Sequence, residues 1–328
     1  MIKIENLNFA YQSGKGVFDI DFEVRKGQVV GFLGPNGAGK TTTIRCLLGF
    51  LRGGTGRCTI SDLDCFEAAP RVALEIGYVA GEPAFPESMT GREFLDFLVD
   101  TRIAESEGKL KKAELKSRVE SLVEYYELDT RPRIRRMSKG MKQKVAIIAA
   151  FMHDPEVLIL DEPSSGLDPL MQAKFIEMLQ NEKRRGKTIL ISSHMFEEIE
   201  RTADRVIIIK GGRIVAQEQV KTLKRAQRRV YHIGGQGIGG KKIKWPKDFE
   251  VRTLDDNTAE VLIPSDQVDQ FVKAIATLKI DELFKKDVKL EDIFMSYYTR
   301  AELISSQNVN SPPHSGPGVG ATPVEVVQ

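Results

Sequence analysis

The stretch Val29-Val30-Gly31-Phe32-Leu33-Gly34-Pro35-Asn36-Gly37-Ala38-Gly39-Lys40-Thr41-Thr42 decides how the rest of this chain is read. Val29 to Leu33 is a short continuous apolar run, the pattern of a strand covered on both faces. Gly34 to Thr41 satisfies GxxxxGK[ST] between that strand and a helical pattern from Thr41 to Leu51, which is the setting of a phosphate-binding loop. Glycines let successive backbone N–H groups point at one anion, and the helix that follows adds its positive end. In that reading Gly34, Pro35, Asn36, Gly37, Ala38, Gly39, Lys40, Thr41 and Thr42 hold a nucleotide, Lys40 reaches the β and γ phosphates, and the Thr41 hydroxyl ligates magnesium. The bland alternative is a glycine-rich turn that binds nothing.

Working outward, Ile76 to Val79, Val157 to Leu160, Ile189 to Ile191 and Val206 to Ile209 are further short apolar runs separated by helical patterns. They predict a largely parallel α/β sheet. Upstream, Phe18, Ile20, Phe22 and Val24 alternate with acids as in a half-buried strand, and Gly211-Gly212 suits a tight hairpin into Ile214-Val215. Between Gly91 and Asp129 the texture is charged and amphipathic, which predicts two or three inserted helices in a subdomain over about 82–150. Past the sheet-forming part, 1–220, the segment 221–304 reads as a small α+β domain. Its strands are expected at Val230 to Ile233, Val251 to Leu254 and Val261 to Ile263, with a turn at Asp255-Asp256-Asn257 and a helix from near Asp266. The end, 305–328, carries Pro312, Pro313, Pro317 and Pro323 among Ser, Gly and Asn and is expected to be disordered.

The chain has 328 residues, 41% hydrophobic and 29% charged, which disfavours wholesale disorder, collagen and coiled coil. Its longest apolar run, Val145 to Met152, falls far short of the roughly 20 residues of a membrane span. The first residues lack the features of a secretory signal, so a cytosolic protein is expected. Cys46, Cys58 and Cys65 form no CxxC pair, and no cysteine metal site or disulfide framework is expected. With 48 basic against 46 acidic residues, net charge gives no case for nucleic acid. The basic runs Arg131 to Arg136 and Lys241 to Lys244 lack interleaved aromatics and read as solvated surface.

Val157-Leu158-Ile159-Leu160-Asp161-Glu162-Pro163 is a buried strand ending in two acids, and an unpaired buried acid is costly. With a phosphate loop nearby, Asp161 is placed to hold magnesium and Glu162 to polarise an attacking water. Two acids that merely start a loop are the alternative.

Together these features resemble the ATP-binding subunits of ATP-binding cassette (ABC) transporters over about residues 1–220, in the export-type subgroup. Met137-Ser138-Lys139-Gly140-Met141-Lys142-Gln143-Lys144 is similar to the cassette signature, Ser164-Ser165-Gly166-Leu167-Asp168 to the D-loop, and Ser192-Ser193-His194 to the switch histidine. Tyr11 stands where the family stacks an aromatic on adenine. The resemblance implies a P-loop NTPase fold of ABC type and catalytic roles for Glu162 and His194. It also implies that Ser138, Gly140 and Asp168 meet nucleotide held by another subunit. ATP and Mg2+ follow as ligands, with a transmembrane permease subunit and a second nucleotide-binding subunit as partners and no nucleic acid. The location implied is the cytoplasmic side of the plasma membrane. Each residue also has a plainer reading: Ser138 as a helix cap, His194 as a hydrogen-bonded structural residue, Tyr11 as core or edge packing.

Two departures stand out. The family's lid glutamine is absent from Gly77-Tyr78-Val79-Ala80-Gly81-Glu82, with Glu82 nearby as a substitute contact, and the signature carries Lys139 and Met141. The segment Glu82 to Gly91, with Pro83, Phe85, Pro86 and Met89, is expected to expose an apolar patch toward the membrane partner. Leu290 to Phe294 resembles the subgroup's closing helix. The alternatives are a clamp of the same type acting on nucleic acid or the ribosome and, more distantly, a P-loop kinase or GTPase.

Overall fold

A computed structural model describes residues 1–286 except 53, 107, 109, 227, 228, 240–242, 244 and 265. The expected tail and the Leu290 to Phe294 helix lie outside the described residues. The chain forms two compact units, Met1–Gln217 and a second that begins at Glu218.

The first unit opens with β1 (Ile2–Ala10), β2 (Gly16–Val24) and β3 (Val29–Leu33), followed by α1 (Lys40–Leu47). Next come β4 (Thr55–Ile60), β5 (Leu63–Asp64), α2 (Ala69–Glu75) and β6 (Ile76–Val79). The inserted helices are α3 (Gly91–Glu105), α4 (Lys112–Tyr125) and α5 (Lys139–Phe151). β7 (Val157–Asp161), α6 (Pro169–Arg184), β8 (Thr188–Ser193), α7 (Phe196–Thr202), β9 (Arg205–Lys210) and β10 (Arg213–Gln219) complete the sheet.

β3, β8 and β7 are consecutive parallel neighbours in the six-stranded order β10-β9-β3-β8-β7-β6, every residue of the three buried. Strands covered on both faces need no polar alternation, which is why these runs are uninterrupted. Their carboxyl ends lie side by side, where open α/β sheets bind ligands. A second sheet, β2-β1-β4-β5, packs its buried face with α1 into one core through Ile4, Ile20, Ile44, Leu47 and Ile60. Each such side chain contributes roughly 1.5–3 kcal/mol on burial.

Three expectations need correcting. Asp19 has φ +52°, and the pairing of β1 with β2 slips between Leu7↔Ile20 and Phe9↔Val17. The extra residue changes the phase of the strand, so Val17 is buried where Phe18 was expected. The helix after the loop stops at Leu47, because Gly49 follows at φ +73° and a Cβ there would lie 2.4 Å from the Cys65 carbonyl oxygen. The N-terminal sheet also gains β4 and β5, which were not expected.

The second unit starts with α8 (Val220–Ala226) and contains β11 (Arg229–Gly234), β12 (Glu250–Thr253), β13 (Thr258–Ile263), α9 (Val268–Ile275) and β14 (Glu282–Lys286). Its sheet order is β12-β13-β11-β14. Phe271 of α9 stacks on Tyr231 at 4.5 Å over a core of Ile233, Val261 and Ile263. β14 is the strand missing from the sequence reading.

Candidate nucleotide site

The loop after β3 is shaped by backbone rather than by side chains. Gly39 caps α1 at φ +115°, a conformation that only glycine enters easily, and a Cβ there would sit 2.8 Å from Val17 Cγ1. The loop is fixed from outside by the β9–β10 turn, where Gly212 N–H donates to the Ala38 carbonyl at 2.8 Å.

Lys40 is 5% exposed, with its ammonium donating to the Gly34 carbonyl at 2.6 Å and lying 3.3 Å from Glu162 Oε1. That last contact is an ion pair without hydrogen-bond geometry, since Oε1 has no hydrogen-bond partner. Thr41 Oγ1 donates to Asp161 Oδ2 at 2.8 Å, and the Ser192 hydroxyl donates to the other oxygen of the same buried carboxylate. Glu162 turns out of β7 at φ +48°, held by its N–H to the Ser192 carbonyl at 3.0 Å. Its Oε2 lies 2.5 Å from His194 Nδ1 and accepts from the His194 N–H at 3.3 Å. A backbone strained at the carboxylate in this way marks a residue whose direction matters.

Thr41, Asp161, Glu162 and His194 thus line one cleft of about 560 Å³ with Asn36, Glu82 and Lys139, and the buried Lys40 reaches its Glu162. Gly81 passes over Asp161, with its Cβ position 3.6 Å from Oδ2, so Glu82 reaches the cleft where the lid glutamine was missed. Tyr11 is 38% exposed, edge-on to Phe9 at 5.0 Å, with its hydroxyl 3.5 Å from Thr42 Oγ1. It leaves a ring face beside the start of α1.

Ser138, Gly140 and Asp168 sit apart from this group. Ser138 caps α5, accepting from the Met141 N–H at 3.2 Å, and Asp168 caps α6, accepting from the Met171 N–H at 3.0 Å. The start of α5 abuts the turn that leads into α6, since a Cβ on Gly140 would lie 2.7 Å from the Gly166 carbonyl oxygen. Gln143 secures them from below by donating to the Pro163 carbonyl at 2.8 Å.

Of the apolar patch expected over Glu82 to Gly91, the structure exposes Pro86 and the neighbouring Ala84 but not the larger side chains. Phe85 is half-buried edge-on against Phe94 at 5.3 Å, and Pro83 and Met89 are also half-buried. Among the more exposed aromatics are Phe50, 64% exposed, and Phe97. Phe50 borders a neighbouring apolar groove of about 340 Å³ with Leu48, Val72, Tyr78, Leu98 and Met152. Sequence reasoning missed that groove because its residues come from four separated segments. It also missed Glu198, a buried acid on α7.

A glycine-shaped loop before a helix, an acid-tipped parallel strand and a paired Glu and His at the same sheet edge define a P-loop nucleoside triphosphatase. Residues 17–165 match the family described as ABC transporter. The chain is 36% identical over 220 residues to the ABC transporter ATP-binding protein NatA of Bacillus subtilis, covering 65% of this chain and 86% of that protein. It is also 36% identical over 232 residues to the bacitracin transport ATP-binding protein BcrA of Bacillus licheniformis, covering 70% and 73%. Its fold matches a solved ATP-binding subunit of an ABC transporter at TM-score 0.61 and 30% identity, covering 69% of this chain and 92% of that one. This chain belongs to the ATP-binding subunits of the ABC transporter family, and it is an ATPase.

Proposed function

We propose that this subunit drives export of a substrate through a separate transmembrane permease on the cytoplasmic side of the plasma membrane. It does so by closing with a second nucleotide-binding subunit on two ATP molecules. The convergence of Thr41, Asp161, Glu162 and His194 on one cleft, with Lys40 paired to Glu162, carries this reading. In it, Gly34 to Thr42 cradle the phosphates, Tyr11 stacks on the base, and Lys40 exchanges its Gly34 and Glu162 contacts for phosphate oxygens.

The donor set fits magnesium: a threonine hydroxyl and a carboxylate are hard oxygen ligands, and Thr41 and Asp161 already lie 2.8 Å apart. When bound there, the ion would neutralise charge on the β and γ phosphates. Glu162 orients a water and takes its proton, and His194, held by the same carboxylate, meets the γ-phosphate. Ser138, Gly140 and Asp168 serve the nucleotide on the partner, which explains why they stand apart here. Closure then follows from γ-phosphate having more partners in the closed dimer than in the open one, the condition for a ligand to shift an equilibrium.

The apolar groove at Phe50 is the surface offered to the permease. It lies on β6 and α3, and β6 ends at the Gly81-Glu82 rim of the cleft, so docking and nucleotide share one element. Among the described residues no helix is long and apolar enough to cross a membrane, so the permease supplies the spans.

Size-exclusion chromatography of Glu162→Gln with Mg-ATP tests the reading. A nucleotide-dependent dimer is expected, and loss of that dimer on adding Ser138→Arg. A chain that stays monomeric while saturated with ATP would refute the sandwich.

A further inference from the structure

At the start of α5, a lysine stands between the two residues assigned to the second subunit's nucleotide, and its side chain lies along its own chain. A Cβ added to Gly166 would stand 2.9 Å from Lys139 Cγ, 3.1 Å from Cδ and 3.3 Å from Cε, so the whole stem follows the Gly166 backbone. Gly166 has φ +82°, and glycine alone keeps both that turn and that track open. Lysine stems cover surface in this way and carry the ammonium to its edge. The track runs toward the catalytic acid. Gly166 follows Ser165, whose N–H donates to the Glu162 carbonyl at 3.1 Å, and Lys139 lines the nucleotide cleft together with Ser165, Glu162 and His194.

The charge of that cleft gives the ammonium a task. The lining includes three acids, Glu82, Asp161 and Glu162, against two cations, Arg45 and Lys139. Lys40 adds a third cation from behind, already 3.3 Å from Glu162 Oε1. Glu82 and Lys139 have no hydrogen bond or ion pair among the described residues, so neither charge is spent within the protein. These two are also the charged departures from the family pattern, an acid near the place of the neutral lid glutamine and a base in the signature. They line one cleft. An anion entering it meets the extra negative charge of Glu82, and the extra positive charge of Lys139 is what offsets it.

We propose that Lys139 is a binding residue for the terminal phosphate of the nucleotide held by its own chain, where it offsets Glu82. Ser138 and Gly140 on either side of it serve the second subunit, so one helix start reads both nucleotides. The inference rests on the nucleotide reading above and does not need the sandwich.

The test is binding to the full chain at dilutions where gel filtration gives a monomer, so that no second subunit takes part. Mg-AMP-PNP, which keeps a terminal phosphate without being hydrolysed, and Mg-ADP are each competed against a fluorescent nucleotide. Lys139→Met keeps the stem and removes the charge. K139M should bind Mg-AMP-PNP about fivefold more weakly than wild type at low salt, with Mg-ADP within about twofold, and the difference should shrink as salt is raised. Lys139→Arg should restore Mg-AMP-PNP to within about twofold of wild type, and so should Glu82→Gln added to K139M. An unchanged affinity in monomeric K139M, equal losses for the two nucleotides, or failure of either rescue would overturn the assignment. A wild type that binds neither nucleotide would overturn the nucleotide reading itself, so the two failures are distinguishable.

Discussion

Substituting Glu162 by Gln should tighten ATP binding while it slows hydrolysis, because of where the Lys40 ammonium lies. Its ammonium is buried and 3.3 Å from Glu162 Oε1. At that separation the gross attraction is about 5 kcal/mol with an effective dielectric of about 20, most of it offset by keeping two charges out of water. The net hold is of the order of 1–2 kcal/mol, and a triphosphate must overcome it before Lys40 can turn to the phosphates. Gln keeps the shape and removes the charge, so ATP affinity should rise about tenfold while kcat falls about 10²–10⁴-fold with the base gone. Titration calorimetry with Mg-ATP at low and moderate salt, beside a phosphate-release assay, reads both. An affinity equal to or weaker than wild type would show that Lys40 is not restrained by Glu162.

Other perturbations separate the parts of the site. Tyr11→Ala should weaken ATP binding by about 1–3 kcal/mol if the exposed ring stacks on the base, and Tyr11→Trp should restore it, read by competition with a fluorescent ATP analogue. Gly140→Ala drives a Cβ toward the Gly166 carbonyl oxygen at 2.7 Å; ATP binding should survive and the ATP-dependent dimer of the Glu162→Gln background should be lost on gel filtration. Phe50→Asp should leave ATPase of the isolated chain unchanged and abolish its co-purification with the permease. His153 is pushed down to about 4 by burial, with the Arg102 charge adding to the effect, while the unfolded chain keeps the ordinary 6.5. The unfolded state therefore takes up the proton first, so stability is lost as pH falls from about 6.5 to about 4, by about 3 kcal/mol, and His153→Gln should remove that slope in urea titrations.

The catalytic edge was legible because three of its strands are apolar on both faces and each ends abruptly in polar residues. No folding calculation is needed to see where Leu33, Leu160 and Ile191 give way to Gly34, Asp161 and Ser192. Strands at the rim leave no such trace. Thr55-Gly56-Arg57-Cys58-Thr59-Ile60 buries only Cys58 and Ile60, and Glu282 to Lys286 is exposed throughout, so backbone pairing rather than burial pattern makes them strands. Glu198 was illegible for a different reason. In Glu197-Glu198-Ile199-Glu200 the acids read as one solvated face, and only the packing of α7 takes Glu198 out of water. The groove at Phe50, likewise, exists only once the segment after α1, α2, β6, α3 and the end of α5 are brought together.

The pairing of charges within the site also explains why phosphate should close the dimer rather than merely fill it. Lys40 pairs with Glu162, Glu162 also with the His194 ring, and Asp161 is held by Thr41 and Ser192, so each group of the site is engaged by another. A bound triphosphate takes Lys40 away and leaves Glu162 with His194 alone, close to new negative charge. The positive end of a second subunit's signature helix at Ser138 is the complement that then becomes worth acquiring. In the proposed sandwich, affinity between subunits is thus conditional on the γ-phosphate through the self-pairing of Lys40 and Glu162, and hydrolysis restores the condition in which they part.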